Sequence, residues 1–224
     1  MARPTQGYYS KSGDKLPGTT TICGIAKESG GLIQWAYKQG REHERLVAQG
    51  KDAPRHLYDV VDRAADIGTL AHACCEADIK GEPLPDIPED RKTAVMTAYG
   101  QYEAWKRQTK LKIVASEVSM VSEVYRFGGT LDFVCEIEGE LCLGDFKTSS
   151  AVYPEMLTQL AAYRELWNET QDRKITGPSH LLRISKENAD FAHHSYGDLS
   201  DAWEMFKHLR EVYDLAAKLK RRAA

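Results

Sequence analysis

Several features are scarce or missing from this sequence, and each absence narrows the classes of protein that it can encode. Of 224 residues only five are cysteine, with no C-x-x-C pair, so neither a disulfide framework nor a zinc ribbon is expected. No apolar run approaches the ~20 residues of a membrane-spanning helix, and residues 1–15 lack the apolar core of a signal peptide. We therefore expect a cytoplasmic protein of a reducing compartment that does not enter a membrane.

An excess of positive charge is also missing. Lysine and arginine number 30 against 33 aspartate and glutamate, which gives a net charge of −3 with neutral histidines. Proteins that bind nucleic acid usually show the opposite balance, although basic residues can still cluster locally. A G-x-x-x-x-G-K-[ST] loop is absent as well, so no ATP is expected as a cofactor.

The periodicity of apolar residues predicts one mixed α/β domain. We expect a short first helix capped by Thr19, Thr20 or Thr21. The longer predicted helices are residues 32–47 (a broken stretch), 58–79, about 89–105, 154–169 and 200–221. The predicted strands are residues 112–122, 130–137, 140–148, 180–185 and 191–196, with Gly128-Gly129 as a break before the second of them. We interpret residues 1–57 as an N-terminal helical elaboration, about 58–197 as the core and 198–224 as a C-terminal helix.

Two of the predicted strands form a hairpin that gathers charged residues. Glu138-Gly139 fits a two-residue hairpin loop, because glycine accepts the positive φ that such turns need. This loop sets a register in which Asp132 faces Asp145 and Thr130 faces Lys147. Residues two apart lie on the same face of a strand, so Asp132, Asp145 and Lys147 are expected together at one end of the hairpin.

Two adjacent carboxylates and an ammonium group suit the hydrolysis of a phosphodiester. The carboxylates repel each other unless a cation lies between them, and Mg²⁺ or Mn²⁺ accept such oxygen ligands. The metal lowers the pKa of a bound water, and Lys147 can orient that water or neutralise charge in the transition state. In the alternative interpretation Asp132 and Asp145 mark strand ends and Lys147 is a surface residue; a one-residue error in the loop would break the alignment.

Other polar residues are candidates for the same site. His72 and Glu76 lie four residues apart on one face of a predicted helix, and imidazole is a good ligand for Mn²⁺-class metals. Gln159 and Tyr163 have the same spacing on the helix after the hairpin, where both can contact phosphates or bases. Glu117, on the strand before the hairpin, can support a metal site. The structural alternatives are a packed helix histidine, solvated acids and an amphipathic helix.

Taken in order, these segments resemble the RecB-like branch of the PD-(D/E)XK nuclease superfamily. The pattern of that branch is G-x-x-x-H, then G-x-x-D, then D-x-K-T, then Q-x-x-x-Y. Here it corresponds to Gly68 to His72, Gly129 to Asp132, Asp145 to Thr148, and Gln159 to Tyr163. Leu131 stands where the family name implies proline, which this branch commonly lacks. The segment Leu16-Pro-Gly-Thr-Thr-Thr-Ile22 is similar to phage-encoded and mitochondrial genome-maintenance exonucleases of the branch.

The resemblance implies a restriction-endonuclease-like fold: a mixed β-sheet flanked by helices. It implies a DNA exonuclease with one or two Mg²⁺ or Mn²⁺ ions, bound by His72, Asp132 and Asp145. Lys147 would be the catalytic lysine; Thr148 belongs to the same motif. Gln159 and Tyr163 would be substrate-side or scaffold residues. Several relatives bind an iron–sulfur cluster through a C-terminal cysteine trio, which is not expected here because no cysteine follows Cys142.

The resemblance further implies a phage-like or prophage-like role in DNA recombination, repair or replication. DNA is the expected partner, and a homo-oligomer or a single-strand-annealing or recombination partner is left open. Two alternatives to the exonuclease also stay open. One is an endonuclease that is specific for a DNA structure or sequence, and the other is a DNA-binding protein that kept the fold and lost catalysis.

Overall fold

The computed structural model describes residues 7–27, 30–51, 57–149, 151–184 and 190–223, with backbone only for residues 30–32, 35 and 57–66. The helices of this part are α1 (Thr19–Cys23), α2 (Gly30–Ala48), α3 (Leu57–Lys80), α4 (Glu89–Thr109), α5 (Pro154–Thr170) and α6 (Ser200–Ala223). The strands are β1 (Tyr8–Tyr9), β2 (Lys15–Leu16), β3 (Lys112–Ser122), β4 (Phe127–Ile137), β5 (Glu140–Thr148), β6 (Ser179–Ile184) and β7 (Phe191–Tyr196). A 3₁₀ turn at Gly24–Ala26 follows α1.

The predicted mixed α/β architecture is confirmed, with three local differences. The predicted broken helix at 32–47 is the continuous α2. Gly128 and Gly129 do not break the sheet but lie inside β4. The N-cap of α1 is Gly18, and the Thr19 hydroxyl donates to the Gly128 carbonyl at 3.0 Å instead of capping the helix. Ser185, which was assigned to the end of β6, lies outside the described residues.

The main sheet has five strands in the order β3-β4-β5-β6-β7. Its neighbours are antiparallel except for β5 and β6, which run parallel and are connected through α5. The β4–β5 turn has positive φ at both Glu138 (53°) and Gly139 (88°), as a type I′ hairpin requires. The predicted two-residue loop is therefore confirmed.

Helices cover both faces of this sheet and bury two apolar cores. On one face α1, α5 and α6 pack against the strands around Leu131, Leu143 and Leu181. On the other face α3 and α4 pack over Phe133 and Phe146, together with other buried residues. Each core excludes water from apolar side chains, which is the main source of stability of such a layered fold.

The cysteines of this fold form no disulfide bonds. Cys23, Cys74, Cys75, Cys135 and Cys142 are free and buried. None of the helices in the described ranges combines the length and apolar character that crossing a bilayer requires.

Candidate active site

Asp132 and Asp145 lie on the neighbouring central strands β4 and β5. The predicted register is confirmed from the pair Ile137–Glu140 at the turn to the pair Phe133–Gly144. The β4–β5 ladder of the described strands ends there, so the predicted pairs Asp132–Asp145 and Thr130–Lys147 are wrong as backbone pairs.

The reason for this early end is the side chain of Asp132. In an antiparallel ladder every second pair exchanges main-chain hydrogen bonds, so the Phe146 N–H is the next donor that points toward β4. Its acceptor is the carboxylate oxygen Asp132 Oδ2 at 2.8 Å rather than a main-chain carbonyl. The carboxylate thus replaces a ladder hydrogen bond and holds Asp132 against the backbone that carries Asp145.

The sheet is also distorted on the other side of Asp132. In the β3–β4 ladder Ser116 pairs with Phe133 and Val118 with Leu131, but no pair joins Glu117 to Asp132 among the described partners. Glu117 has a φ of +49°, a left-handed conformation that costs a non-glycine residue about 1–2 kcal/mol. Asp132 therefore lies where β4 separates locally from both neighbouring strands, and such strain is common at functional sites.

Helix α3 crosses β5, β4 and β3 and contacts each strand through a different residue. Gly68 packs against β5, since a Cβ at this position would lie 2.8 Å from Thr148 Cβ. One turn later His72 Nε2 lies 3.6 Å from Asp132 Oδ2 of β4, and its ring meets Phe146 edge to face. Three turns beyond Gly68, Lys80 Nζ lies 2.8 Å from Glu117 Oε2 of β3.

Two acids predicted to support the site have partners along this helix. Glu76 Oε1 lies 3.1 Å from His72 Nδ1, so Glu76 aims the other ring nitrogen of His72 at Asp132. The ion pair with Lys80 occupies the Glu117 carboxylate. The structure thus brings Glu76 to the histidine and pairs the Glu117 carboxylate with Lys80.

Asp145 and Lys147 form an ion pair on β5. The Asp145 side chain is only 2% exposed and that of Lys147 is 18% exposed. Asp145 Oδ2 is buried, and the Lys147 ammonium group is the partner of this oxygen. On the far side of β5, Lys147 and Thr148 pair with Arg183 and Ile184 of β6, which fixes the strand that carries the D-x-K-T segment.

The charges at the site shift the pKa values of its members in different directions. Burial raises the pKa of Asp145 to about 6, although Lys147 opposes the shift. Burial acts on Asp132 too, but the hydrogen bond from His72, the charge of Lys147 and the Phe146 amide outweigh it and lower the pKa of Asp132. Burial alone would lower the pKa of His72, yet the carboxylates of Asp132 and Glu76 raise it to about 10.

Gln159 and Tyr163 of α5 lie behind the aspartates rather than on the surface. Their exposed fractions are 8% and 3%, and Gln159 Nε2 donates to the Tyr163 hydroxyl at 2.7 Å. The Tyr163 ring packs on Gly129, where an added Cβ would lie 2.7 Å from it. Burial, followed by the charges of Asp145 and Asp132, raises the pKa of Tyr163, so these charges act on the tyrosine.

Two residues near the site were not among the candidates from sequence. The Tyr8 hydroxyl lies 3.0 Å from Thr130 Oγ1. Burial raises the pKa of Cys23 in α1 to about 12, and the charge of Lys147 acts against this shift. The adjacent glycines Gly128 and Gly129 were the available signal, because glycine inside a strand often marks the close approach of another group.

The donor set fits a hard divalent cation. No group of three or more His, Cys, Asp or Glu side chains is gathered as a metal cage in the described part of the chain. Lys147 and a protonated His72 balance the two aspartates instead. Carboxylate oxygens suit Mg²⁺ and Mn²⁺, and the buried Asp145 carboxylate, whose ion-pair partner is Lys147, is a group that such an ion would stabilise further.

The family of the chain follows from a comparison with family models. The model of the PD-(D/E)XK nuclease superfamily matches residues 32–223, a span that contains all the predicted site residues. The chain therefore belongs to the PD-(D/E)XK nuclease superfamily. The five-stranded mixed sheet flanked by helices is the fold that the sequence motifs predicted.

Solved structures add distant similarities. A candidate exonuclease from Eubacterium rectale is 13% identical, aligns with 74% of this chain and 69% of its own, and gives a TM-score of 0.44. An alkaline exonuclease from Laribacter hongkongensis is 14% identical, aligns with 72% of this chain and 90% of its own, and gives a TM-score of 0.35. A comparison with curated protein sequences found no match.

Proposed function

We propose that this member of the superfamily is a DNA exonuclease that depends on Mg²⁺ or Mn²⁺. The observation that carries the proposal is the placement of Asp132, Asp145 and Lys147 on adjacent central strands, with His72 of α3 held against Asp132. Two carboxylates, an imidazole and an ammonium group from three elements converge on one end of the sheet. No structural need of the fold explains a carboxylate as buried as that of Asp145, with Lys147 as its ion-pair partner.

We assign His72, Asp132 and Asp145 as the metal ligands. When bound there, the ion would polarise the scissile phosphate and lower the pKa of the attacking water. Glu76 keeps the imidazole of His72 in position through its Nδ1 contact, as second carboxylates commonly do for ligating histidines. Lys147, the most exposed member of the ion pair on β5, orients the water or neutralises the charge that develops on the phosphate.

DNA as substrate and action from a strand end are the finer parts of the proposal. Their support is the ordered motif set of the RecB-like branch, from Gly68 to Tyr163, and the membership in a nuclease superfamily. A role in recombination, repair or replication would follow from such an activity. Thr148 supports the site by packing on Gly68, and Gln159 with Tyr163 forms the wall behind the aspartates.

The test is the digestion of DNA labelled at either end, single-stranded and double-stranded, with Mg²⁺, Mn²⁺ or EDTA. We expect mononucleotides or short products to appear from one labelled end, and no cleavage with EDTA. Covalently closed single-stranded circles should stay intact. Cleavage of the circles would instead identify an endonuclease, and a purified chain that degrades no DNA with either metal would be a binding protein without catalysis.

A further inference from the structure

The sheet face under α3 is divided into an apolar half and a polar half. Around Phe133 and Phe146 this face is closed by buried apolar residues. Toward the other end of β3 and β4 it carries Ser119 and Thr130, which are a backbone pair. Thr130 is two residues before Asp132 along β4, and Asp132 contacts His72 of α3 on this face. A polar strip therefore leads along β4 to the proposed catalytic aspartate.

The N-terminal hairpin of β1 and β2 places a third hydroxyl on this strip. The Tyr8 side chain packs on Gly128, where an added Cβ would overlap the tyrosine ring. The Gly128 N–H donates to the Pro17 carbonyl at 3.0 Å, which attaches the hairpin to β4. The Tyr8 hydroxyl is 3.0 Å from Thr130 Oγ1, and Ser119 Oγ is 2.8 Å from the same atom.

The three hydroxyl groups of Tyr8, Thr130 and Ser119 hold one more hydrogen than their mutual hydrogen bonds use. Three hydroxyl groups hold three hydrogens, and the chain from Tyr8 through Thr130 to Ser119 uses two of them within the described residues. Thr130 is 6% exposed, whereas Tyr8 and Ser119 at the two ends are half-buried and reach solvent. When Thr130 donates to Tyr8 or to Ser119, the hydroxyl at that end keeps its own hydrogen and can offer it to a ligand.

We propose that the hydroxyls of Tyr8, Thr130 and Ser119 form a binding site for a backbone phosphate of the DNA strand, next to the phosphate that is cut. Two residues of β-strand span about 6.6 Å, so Thr130 lies about one nucleotide of extended strand away from Asp132. Hydroxyl groups are common phosphate donors in protein–DNA contacts. A neutral donor set also suits a chain whose net charge is −3. The inference rests on the proposed function, because it assumes a DNA strand at Asp132.

The test compares Tyr8→Phe with Tyr9→Phe by steady-state kinetics on a single-stranded oligonucleotide at several salt concentrations. Tyr8→Phe keeps the ring on Gly128 and removes only the hydroxyl. We expect KM to rise about tenfold, the effect of losing one hydrogen bond to a charged group, with kcat within twofold. Tyr9 is the matched control, since it is the next residue of β1 and is 46% exposed; its variant should behave as wild type.

Salt dependence separates a hydroxyl contact from a cationic one. Removing a lysine or arginine contact lowers the slope of log affinity against log salt by about one, whereas Tyr8→Phe should leave the slope unchanged. Ser119→Ala should raise KM in the same direction. A wild-type KM for Tyr8→Phe would overturn the inference even if the melting temperature fell, because the hydroxyl chain would then only fasten the hairpin. A changed salt slope would overturn it too.

Failure of the proposed function would be distinguishable from failure of this site. If the wild-type chain cut no DNA with Mg²⁺ or Mn²⁺, the nuclease proposal would fail. Fluorescence anisotropy of a labelled oligonucleotide would then test the phosphate site on the same variants. Weaker binding by Tyr8→Phe than by Tyr9→Phe would support the site, and equal binding would reject it.

Discussion

At the scale of single residues, Asp132 and Asp145 differ chemically although both are proposed metal ligands. Burial disfavours the charge of both, but the His72 hydrogen bond, Lys147 and the Phe146 amide compensate Asp132 and lower its pKa. At Asp145 burial dominates and raises the pKa to about 6 despite Lys147. Asp145 is therefore the group whose negative charge is least compensated without a metal ion, and a bound cation would stabilise it most.

This contrast predicts opposite effects of two matched variants on the metal-free protein. At pH 7 Asp145 is ionised above its raised pKa, which costs stability, so Asp145→Asn should raise the free energy of unfolding by about 1 kcal/mol. The gain should be smaller at pH 5, where the folded protein already holds the proton, and should vanish only below about pH 4, the pKa of this carboxyl in the unfolded chain. The ionised form of Asp132 stabilises the fold, so Asp132→Asn should lower the free energy of unfolding at pH 7.

Urea unfolding in EDTA at pH 7 and pH 5 measures both effects. If Asp145→Asn were less stable than wild type at pH 7, the charge of Asp145 would be better compensated than the structure indicates. Added Mn²⁺ should reverse the order, since it stabilises the wild type and not the variant.

At the scale of elements, local patterns predicted helix and strand positions well but not their contacts. Apolar alternation and turn chemistry were sufficient for β3, β5 and the Glu138-Gly139 loop. The break predicted at Gly128-Gly129 is wrong because these glycines admit Tyr8 and Tyr163 from distant parts of the chain. The missing backbone pairs beyond Gly144 depend on the Asp132 side chain. A pairing rule based on the backbone alone does not include such a side-chain contact.

The packing of α3 on β5 predicts an effect of Gly68→Ala on catalysis. The new Cβ would lie 2.8 Å from Thr148 Cβ, so α3 must move away from the sheet and shift His72 relative to Asp132. We expect the cleavage rate to fall at least about tenfold, since displacements of this size disturb catalytic geometry strongly.

The control for this variant is Gly100→Ala in α4, where an added Cβ meets nothing within 4 Å. Replacing a helical glycine by alanine stabilises a helix by about 0.5–1 kcal/mol, so this variant should melt higher and cleave normally. Normal cleavage by Gly68→Ala as well would show that the α3 contact does not position the histidine. Rates on a labelled oligonucleotide and thermal melts provide both readouts.

At the scale of the whole molecule, the sequence motifs predicted the layered α/β fold and the family. They did not predict that α3 crosses three strands with Gly68, His72 and Lys80 in register with β5, β4 and β3. Nor did they predict that Tyr8 closes the far end of β4. Both arrangements join segments far apart in sequence, and residue spacing within one segment does not determine how such segments meet.

A histidine pair on β6 and β7, in which His180 is buried and His193 is exposed, makes the stability of the molecule sensitive to acid. His180 Nδ1 lies 2.9 Å from His193 Nε2, beside Trp105. Burial, then the neighbouring ring, lowers the pKa of His180 to about 4, and burial lowers that of His193. The unfolded chain takes up protons near pH 6.5, before the folded one does. The contribution of this pair to the free energy of unfolding is thus complete above pH ~6.5 and decreases as the pH falls toward 4.

The measurement is the free energy of unfolding at pH 7 and pH 5 for wild type and His180→Phe, which keeps an aromatic ring beside Trp105. Wild type should lose about 1–2 kcal/mol more than the variant over this interval. Equal losses would show that the pair is not the acid-sensitive element. Over the same pH interval the titration of Asp145 changes the free energy of unfolding in the opposite direction. The effect of the histidine pair is therefore taken as the difference between wild type and His180→Phe.

The central claim is that the two aspartates and the lysine at the end of β4 and β5 form a metal-dependent nuclease site. Its most direct test is the initial rate of DNA degradation by Asp145→Asn in Mg²⁺ or Mn²⁺, with circular dichroism to establish that the variant is folded. We predict a folded variant with a rate at least about a hundredfold below wild type. A folded variant that degrades DNA as fast as wild type would contradict the assignment of the site.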